Sequence, residues 1–79
     1  MNITMYTKKA CPNCVTAKLI LNSAGLKFEE VDIEVGDRLG NFLKEFPDAR
    51  QMPQIFVNDQ RVGGLEGLKV ALRQLGVLV

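Results

Sequence analysis

The sequence predicts one α/β domain, a four-stranded mixed sheet flanked by three helices in the order β-α-β-α-β-β-α. A chain of 79 residues with 47% hydrophobic content can build one small core. Apolar runs of strand length alternate with amphipathic runs of helix length. The first two strands are separated by a helix and the last two by a short turn, which predicts one parallel and one antiparallel pair. We expect the domain to span residues 1–79.

The first half of the chain predicts strand, helix and strand. Residues 2–6 form an apolar run of strand length, and residues 27–33 form another. Between them, residues 13–24 have the apolar spacing of a helix, and Gly25 is a suitable stop. The apolar helical face expected to meet the core consists of Val15, Leu19, Ile20, Leu21 and Ala24.

The second half predicts a helix, a hairpin and a last helix. Apolar residues of the segment 39–46 fall at i, i+3, i+4 and i+7, and Pro47 ends that helix. The segments 53–57 and 60–62 are separated by a two-residue turn, which is typical of an antiparallel hairpin. Leucines repeat at helical spacing over residues 65–75.

Charge and hydropathy exclude several classes of partner. The formal net charge is +1, and phosphate binding usually needs a basic patch, so we expect no nucleic-acid partner. No stretch approaches the roughly 20 apolar residues of a membrane span. Residues 1–4 lack the charged and apolar regions of a signal peptide. We therefore expect a cytoplasmic monomer with no membrane partner.

The two cysteines predict redox chemistry. Cys11 and Cys14 are the only cysteines, two residues apart at the start of the first predicted helix. The helix dipole, with Lys8 and Lys9 nearby, should lower the pKa of Cys11 and make it the attacking thiolate. Cys14, one turn later and deeper, should resolve the mixed disulfide. Pro12 suits the first helical position, where an N–H has no helical partner.

Two other interpretations of the pair stay open. Both cysteines could be small buried hydrophobic residues with no chemical role. A zinc site needs about four ligands, and the chain has two cysteines and no histidine. Zinc would therefore require a dimer or carboxylate ligands, and we expect no bound metal.

Four segments together resemble the dithiol glutaredoxins: residues 5–8 (MYTK), 11–14 (CPNC), 52–57 (MPQIFV) and 63–64 (GG). The resemblance covers nearly the whole chain and implies a thioredoxin-like fold. It also implies glutathione-dependent reduction of protein disulfides and glutathione mixed disulfides, with glutathione as reductant and no bound cofactor. Implied partners are glutathione and disulfide-containing proteins, ribonucleotide reductase among them.

The resemblance also assigns a glutathione-binding groove. It implies a cis peptide bond before Pro53, with the backbone of Met52 free to pair with a peptide-like substrate. Gly64, Leu65 and Glu66 should hold the γ-glutamyl end at a helix N-terminus. The remaining groove residues that it implies are Lys8, which pairs with the glycyl carboxylate, Pro12 and Asn13.

Three residues depart from the usual family pattern. Asn13 stands where many members have Tyr, Glu66 where Asp is common, and Gly67 where another acid is frequent. The departures at Asn13 and Glu66 keep open a second hypothesis, a glutaredoxin-like electron carrier that thioredoxin reductase reduces, whereas Lys8 and the Gly63–Gly64 pair argue for glutathione. A third hypothesis, a metal-binding or iron–sulfur module, is less favoured, because the cluster-binding members resemble a single-cysteine CGFS type.

Overall fold

The computed structural model describes residues 1–78, so Val79 of the expected domain lies outside the described part. Three helices and four strands follow the predicted order. The strands are β1 (Ile3–Thr7), β2 (Glu29–Asp32), β3 (Gln54–Val57) and β4 (Gln60–Gly63). The helices are α1 (Pro12–Ser23), α2 (Arg38–Glu45) and α3 (Leu65–Gln74).

The strands form one mixed sheet in the order β2-β1-β3-β4. Strand β1 pairs parallel with β2 and antiparallel with β3, and β3 pairs antiparallel with β4. The turn between β3 and β4 places Asn58 and Asp59 at φ values of 50° and 67°. Such left-handed pairs match the twist of a tight hairpin. The predicted four-stranded mixed sheet with three helices is confirmed.

The second strand is shorter than the predicted segment 27–33. It ends at Asp32, although Ile33 is only 2% exposed and its N–H donates to the Thr7 carbonyl at 2.9 Å. Phe28 lies before the strand and packs against the core from there. The predicted segment was too long because it was drawn from apolar side chains. Buried apolar residues continue past the last residues that pair with the neighbouring strand.

The expected inner face of α1 is partly wrong. Val15 is 55% exposed and Leu19 is 60% exposed. The buried residues of the helix are Cys14, Ala17 and Leu21, which repeat at the three- and four-residue spacing of one helical face. Apolar residues occur on both faces of α1, so the sequence alone could not show which face meets the sheet.

Two buried clusters hold the domain together. The larger lies under α1 and α3 and consists of Ile3, Met5, Ala17, Leu21, Ile55, Val57, Leu68 and Leu72. The smaller consists of Cys11, Cys14, Ile33, Phe42, Ala49 and Met52. Both predicted reactive cysteines thus belong to a core cluster, so their side chains pack among buried neighbours. Within residues 1–78, no helix has the length and hydropathy to cross a membrane.

Candidate active site

Cys11 is the N-cap of α1, and Pro12 takes the first helical position. The backbone of Cys11 is extended, with φ −119° and ψ 94°. Its sulfur accepts a hydrogen bond from the Cys14 N–H at 3.1 Å, and its carbonyl accepts from the N–H of Val15 at 3.2 Å. The free N–H groups and dipole at a helix start favour negative charge. A thiolate at Cys11 would therefore be stabilised by the helix that it caps.

Cys14 lies one turn further along α1, where a disulfide joins it to Cys11 across a Cα–Cα distance of 5.2 Å. It is 2% exposed, and Cys11 is 8% exposed. This order agrees with the expectation that Cys11 meets substrate and Cys14 lies behind it. A substrate disulfide can reach the outer sulfur first, and the inner sulfur remains within bonding reach of the outer one.

The loop before β3 faces the cysteine pair. The peptide bond between Met52 and Pro53 is cis. The Met52 carbonyl oxygen lies 3.5 Å from the Cys11 sulfur, and a reduced Cys11 thiol could donate a weak hydrogen bond to it. Neither the N–H nor the carbonyl of Met52 enters the loop and turn backbone hydrogen bonds of residues 1–78. Main-chain groups are thus available beside the reactive sulfur.

The start of α3 closes on the same loop. Gly63 has φ +97°, a conformation that side chains rarely adopt, and Gly64 is the N-cap of α3. No side chain caps this helix. A Cβ atom on Gly64 would lie 3.4 Å from the Pro53 carbonyl oxygen. The glycine pair therefore lets the N-terminus of α3 approach the loop closely while its first N–H groups stay free.

A groove of about 330 Å³ lies between these two elements. We call it the active-site groove. Its walls are Asn13, residues 51–54 and residues 64–67. Six of the predicted site residues line it together: Asn13, Met52, Pro53, Gly64, Leu65 and Glu66. The resemblance therefore identified most of this surface.

Lys8 and Pro12 lie on the other side of the cysteine pair. They line a second hollow of about 430 Å³, which we call the lysine hollow, with Ala10, Cys11, Cys14, Val15 and Lys18. Lys8 is exposed, and within the described residues it takes part in no ion pair. Its ammonium group is therefore free to meet an anion beside the cysteine pair.

The second lysine of this hollow already has a partner. Lys18 Nζ lies 3.0 Å from a Glu30 carboxylate oxygen, and the Thr7 hydroxyl donates to the same oxygen at 2.8 Å. The hydrogen bonds from Lys18 and Thr7 hold the pKa of Glu30 below its ordinary value. Since Glu30 offsets the charge of Lys18, Lys8 is the lysine lining this hollow that has no ion-pair partner among the described residues.

Two groove residues were missed or misjudged from the sequence. Gln54 was predicted only as part of a strand. A glutamine within an apolar segment does not reveal from the sequence which groups its amide will contact. Gly67 was read as the loss of an acid, yet a Cβ atom there would overlap the Val62 carbonyl. Its absence of a side chain lets α3 pack directly on β4. Among residues 1–78, no group of three or more His, Cys, Asp or Glu could hold a metal ion.

A cysteine pair at the start of the first helix, opposite a cis-proline loop on a four-stranded mixed sheet, defines a thioredoxin-like thiol–disulfide oxidoreductase. The sequence profile of the glutaredoxin family matches residues 3–62. The chain belongs to the glutaredoxin family, and it is a glutaredoxin-type oxidoreductase.

Individual relatives agree with this assignment. The chain is 34% identical over 67 residues to glutaredoxin 3 of Escherichia coli K12, covering 85% of this chain and 81% of that protein. It is 40% identical to a probable glutaredoxin of Synechocystis sp., covering 84% of this chain and 62% of the relative's length. The solution structure of a Brucella melitensis glutaredoxin, 33% identical, superposes with a TM-score of 0.74, covering 96% of this chain and 82% of that one.

Proposed function

We propose that this glutaredoxin uses glutathione to reduce protein disulfides and glutathione mixed disulfides. The observation that supports this best is the position of the Cys11 sulfur, at the N-terminus of α1 and 3.5 Å from the Met52 carbonyl that borders the active-site groove. A glutathione moiety in the groove would place its sulfur beside Cys11. Its peptide groups could pair with the free backbone of Met52.

The geometry supports a two-thiol exchange. The Cys11 thiolate attacks one sulfur of a protein disulfide, and the other sulfur leaves as a thiolate that takes up a proton. Cys14 then attacks the Cys11 sulfur, releasing the second substrate thiol and forming the Cys11–Cys14 disulfide. Two glutathione molecules reduce that disulfide and leave as glutathione disulfide. Each step exchanges one S–S bond for another, so the electrons come from glutathione.

A glutathionylated protein needs only one cysteine. The Cys11 thiolate attacks the glutathione sulfur, and the protein thiol leaves. A second glutathione then attacks the glutathione sulfur held on Cys11, which releases glutathione disulfide and restores the thiolate. The Cys14 N–H, which donates to the Cys11 sulfur at 3.1 Å, is a backbone group. This stabilising contact therefore does not depend on the side chain of Cys14.

Substitution of each cysteine tests the assigned roles. Cys11→Ser should abolish release of glutathione from a glutathionylated peptide, and Cys14→Ser should keep it. Both variants should lose reduction of a protein disulfide in multiple-turnover assays. The assay couples glutathione to glutathione reductase and follows NADPH consumption. Equal loss of deglutathionylation in the two variants would contradict the division of roles.

One observation favours a different reductant. Lys8, the expected partner of the glycyl carboxylate, lines the lysine hollow and not the active-site groove. Asn13 supplies no aromatic ring to the groove. The missing ring would weaken glutathione binding and favour reduction by thioredoxin reductase. Parallel assays with glutathione plus glutathione reductase, and with thioredoxin reductase alone, decide between the reductants by which one sustains turnover.

Ribonucleotide reductase remains a proposed protein partner on the family resemblance alone. The cytoplasmic location is proposed because the cycle needs a pool of reduced thiols. Loss or recovery of ribonucleotide reduction in a reconstituted assay, with this chain as the electron donor, tests the partner directly.

A further inference from the structure

A buried glutamine lies behind the loop that faces Cys11. Gln54 is the first residue of β3, and it is 7% exposed, one of two buried polar residues among the described part of the chain. Its Nε2 donates to the Gln51 carbonyl at 2.8 Å. Its Oε1 accepts from Arg61 Nη1 at 3.4 Å, which is a long hydrogen bond. This amide orientation gives each polar atom a complementary partner, as a buried amide requires.

Arg61 is itself held from two sides. Its Nη2 donates to both carboxylate oxygens of Asp48, at 3.0 and 2.8 Å. Its guanidinium carbon lies 5.0 Å from the centre of the Phe46 ring, within the range of a cation–π contact. Arg61 on β4 therefore connects Asp48, before the loop, to Gln54, after it. The loop between these two residues contains Met52 and Pro53.

We propose that Gln54 and Arg61 are positioning residues that hold the loop of residues 51–53 against Cys11. The loop forms one wall of the active-site groove and carries the carbonyl that lies 3.5 Å from the Cys11 sulfur. Neither side chain touches the sulfur. Gln54 also lines the active-site groove and Arg61 does not, so an effect of Arg61 on the reaction must pass through Gln54 and the backbone of the loop. A misplacement of about 1 Å in such a wall can cost a large factor in rate or affinity.

Two substitutions test separately the role of the Gln54 side-chain amide and the role of the Arg61 guanidinium that contacts it. Gln54→Leu keeps a similar volume but removes the donor to the Gln51 carbonyl. Arg61→Met keeps an apolar stem over Phe46 and removes the guanidinium, on a side chain that is 26% exposed and so should not prevent folding. Arg38→Met is the matched control, because Arg38 donates to the Asp32 carbonyl at the β2 edge of the sheet, away from the active-site groove.

The kinetic measurement follows reduction of a glutathionylated peptide, and it rests on the proposed function. The KM for the peptide should rise on the order of tenfold in Gln54→Leu and about threefold in Arg61→Met, because the wall loses a hydrogen bond that fixes it. The kcat should stay within about twofold, since the residues around the Cys11 sulfur are unchanged. Arg38→Met should match the wild type in both parameters.

A second measurement does not involve glutathione. The backbone order parameters from ¹⁵N relaxation should fall at Gln51 and Met52 in both variants and stay unchanged in the buried strands. If they change in this way but the wild type does not use the glutathionylated peptide, the proposed function fails and the positioning role stands. Unchanged order parameters and KM in both variants would overturn the role. So would a fall in kcat alone with lower order parameters throughout the domain, which indicates a general loss of stability.

Discussion

Helices α1 and α3 both begin beside the active-site groove, but their first turns differ in what meets the free N–H groups. At α1 the chain supplies its own acceptor, because the Cys11 sulfur caps the helix through the Cys14 N–H at 3.1 Å. At α3 the N-cap is Gly64, and no side chain accepts from the first turn. One helix start is occupied by the sulfur of Cys11, the proposed nucleophile, and the other is open toward the groove.

This difference separates two uses of the same physical feature. A helix N-terminus stabilises negative charge. At α1 that charge would be the Cys11 thiolate of the proposed exchange, which the chain itself supplies. At α3 the favourable charge would be a carboxylate that arrives and leaves with the substrate. A permanent cap there would compete with the ligand, which gives a physical reason for glycine at position 64.

The largest expected effect, on the free energy of unfolding, comes from a substitution that displaces the N-terminus of α3. Gly67→Ala should lower the free energy of unfolding by about 2–3 kcal/mol, because the new Cβ overlaps the Val62 carbonyl and α3 must move off β4. Gly40→Ala is the matched control, because a Cβ atom there would have no atom within 4 Å outside its chain neighbours and the backbone of its own helix. It should stabilise α2 by about 0.5–1 kcal/mol. Urea denaturation measures both, and equal effects of the two substitutions would contradict the close packing of α3.

The next effect tests the open start as a binding site. Gly64→Asp gives α3 its own acceptor and a negative charge, so the KM for a glutathionylated peptide should rise about tenfold, or about 1.4 kcal/mol. Gly64→Ala is the matched control, since it adds the same Cβ at 3.4 Å from the Pro53 carbonyl but no acceptor. If both substitutions raise KM equally, crowding of the loop is the cause, and the open N-terminus does not bind the substrate.

The sequence predicted the element order and the sheet, because these follow from local patterns. The groove residues were implied by the family resemblance and not by local patterns. Strand and helix periodicity gave the order, and Cys11 followed by Pro12 marked the start of α1. The inner face of α1 could not be predicted, since Val15 and Leu19 are as apolar as the buried Leu21. The sequence also could not show which hollow Lys8 lines, because this depends on the side of the cysteine pair toward which the loop before Cys11 turns.

A smaller effect concerns how the chain enters the capped helix. Ala10, just before Cys11, has φ +52°, where a Cβ atom costs about 1 kcal/mol. Ala10→Gly should therefore raise the free energy of unfolding by about 0.5 kcal/mol, after the extra entropy of glycine in the unfolded chain is subtracted. Ala24→Gly, at the right-handed C-cap of the same helix (φ −81°), should lower it by about 0.5–1 kcal/mol. Thermal unfolding of both variants checks the opposite signs.

The smallest effect comes from the ion pair beside the lysine hollow. The pKa of Glu30 is lowered by the hydrogen bonds from Lys18 and Thr7. The ionised carboxylate therefore stabilises the fold above the ordinary value of 4.5, and this stabilisation is lost as the pH falls through the lowered value. Glu30→Gln should cost about 0.5 kcal/mol at pH 7, since the pair is partly exposed and screened by solvent.

The difference in unfolding free energy between wild type and Glu30→Gln should shrink as the pH drops below 4.5, and it should vanish once the wild-type carboxyl is protonated. Urea denaturation between pH 7 and pH 3 measures this difference. The same substitution leaves Lys18 without its partner and so adds a free positive charge to the lysine hollow. The Cys11 thiolate should then react slightly faster with a negatively charged alkylating reagent at low salt, and the gain should disappear at high salt. A rate change that is independent of salt would show that Glu30 acts on Cys11 through packing, and not through the charge of Lys18.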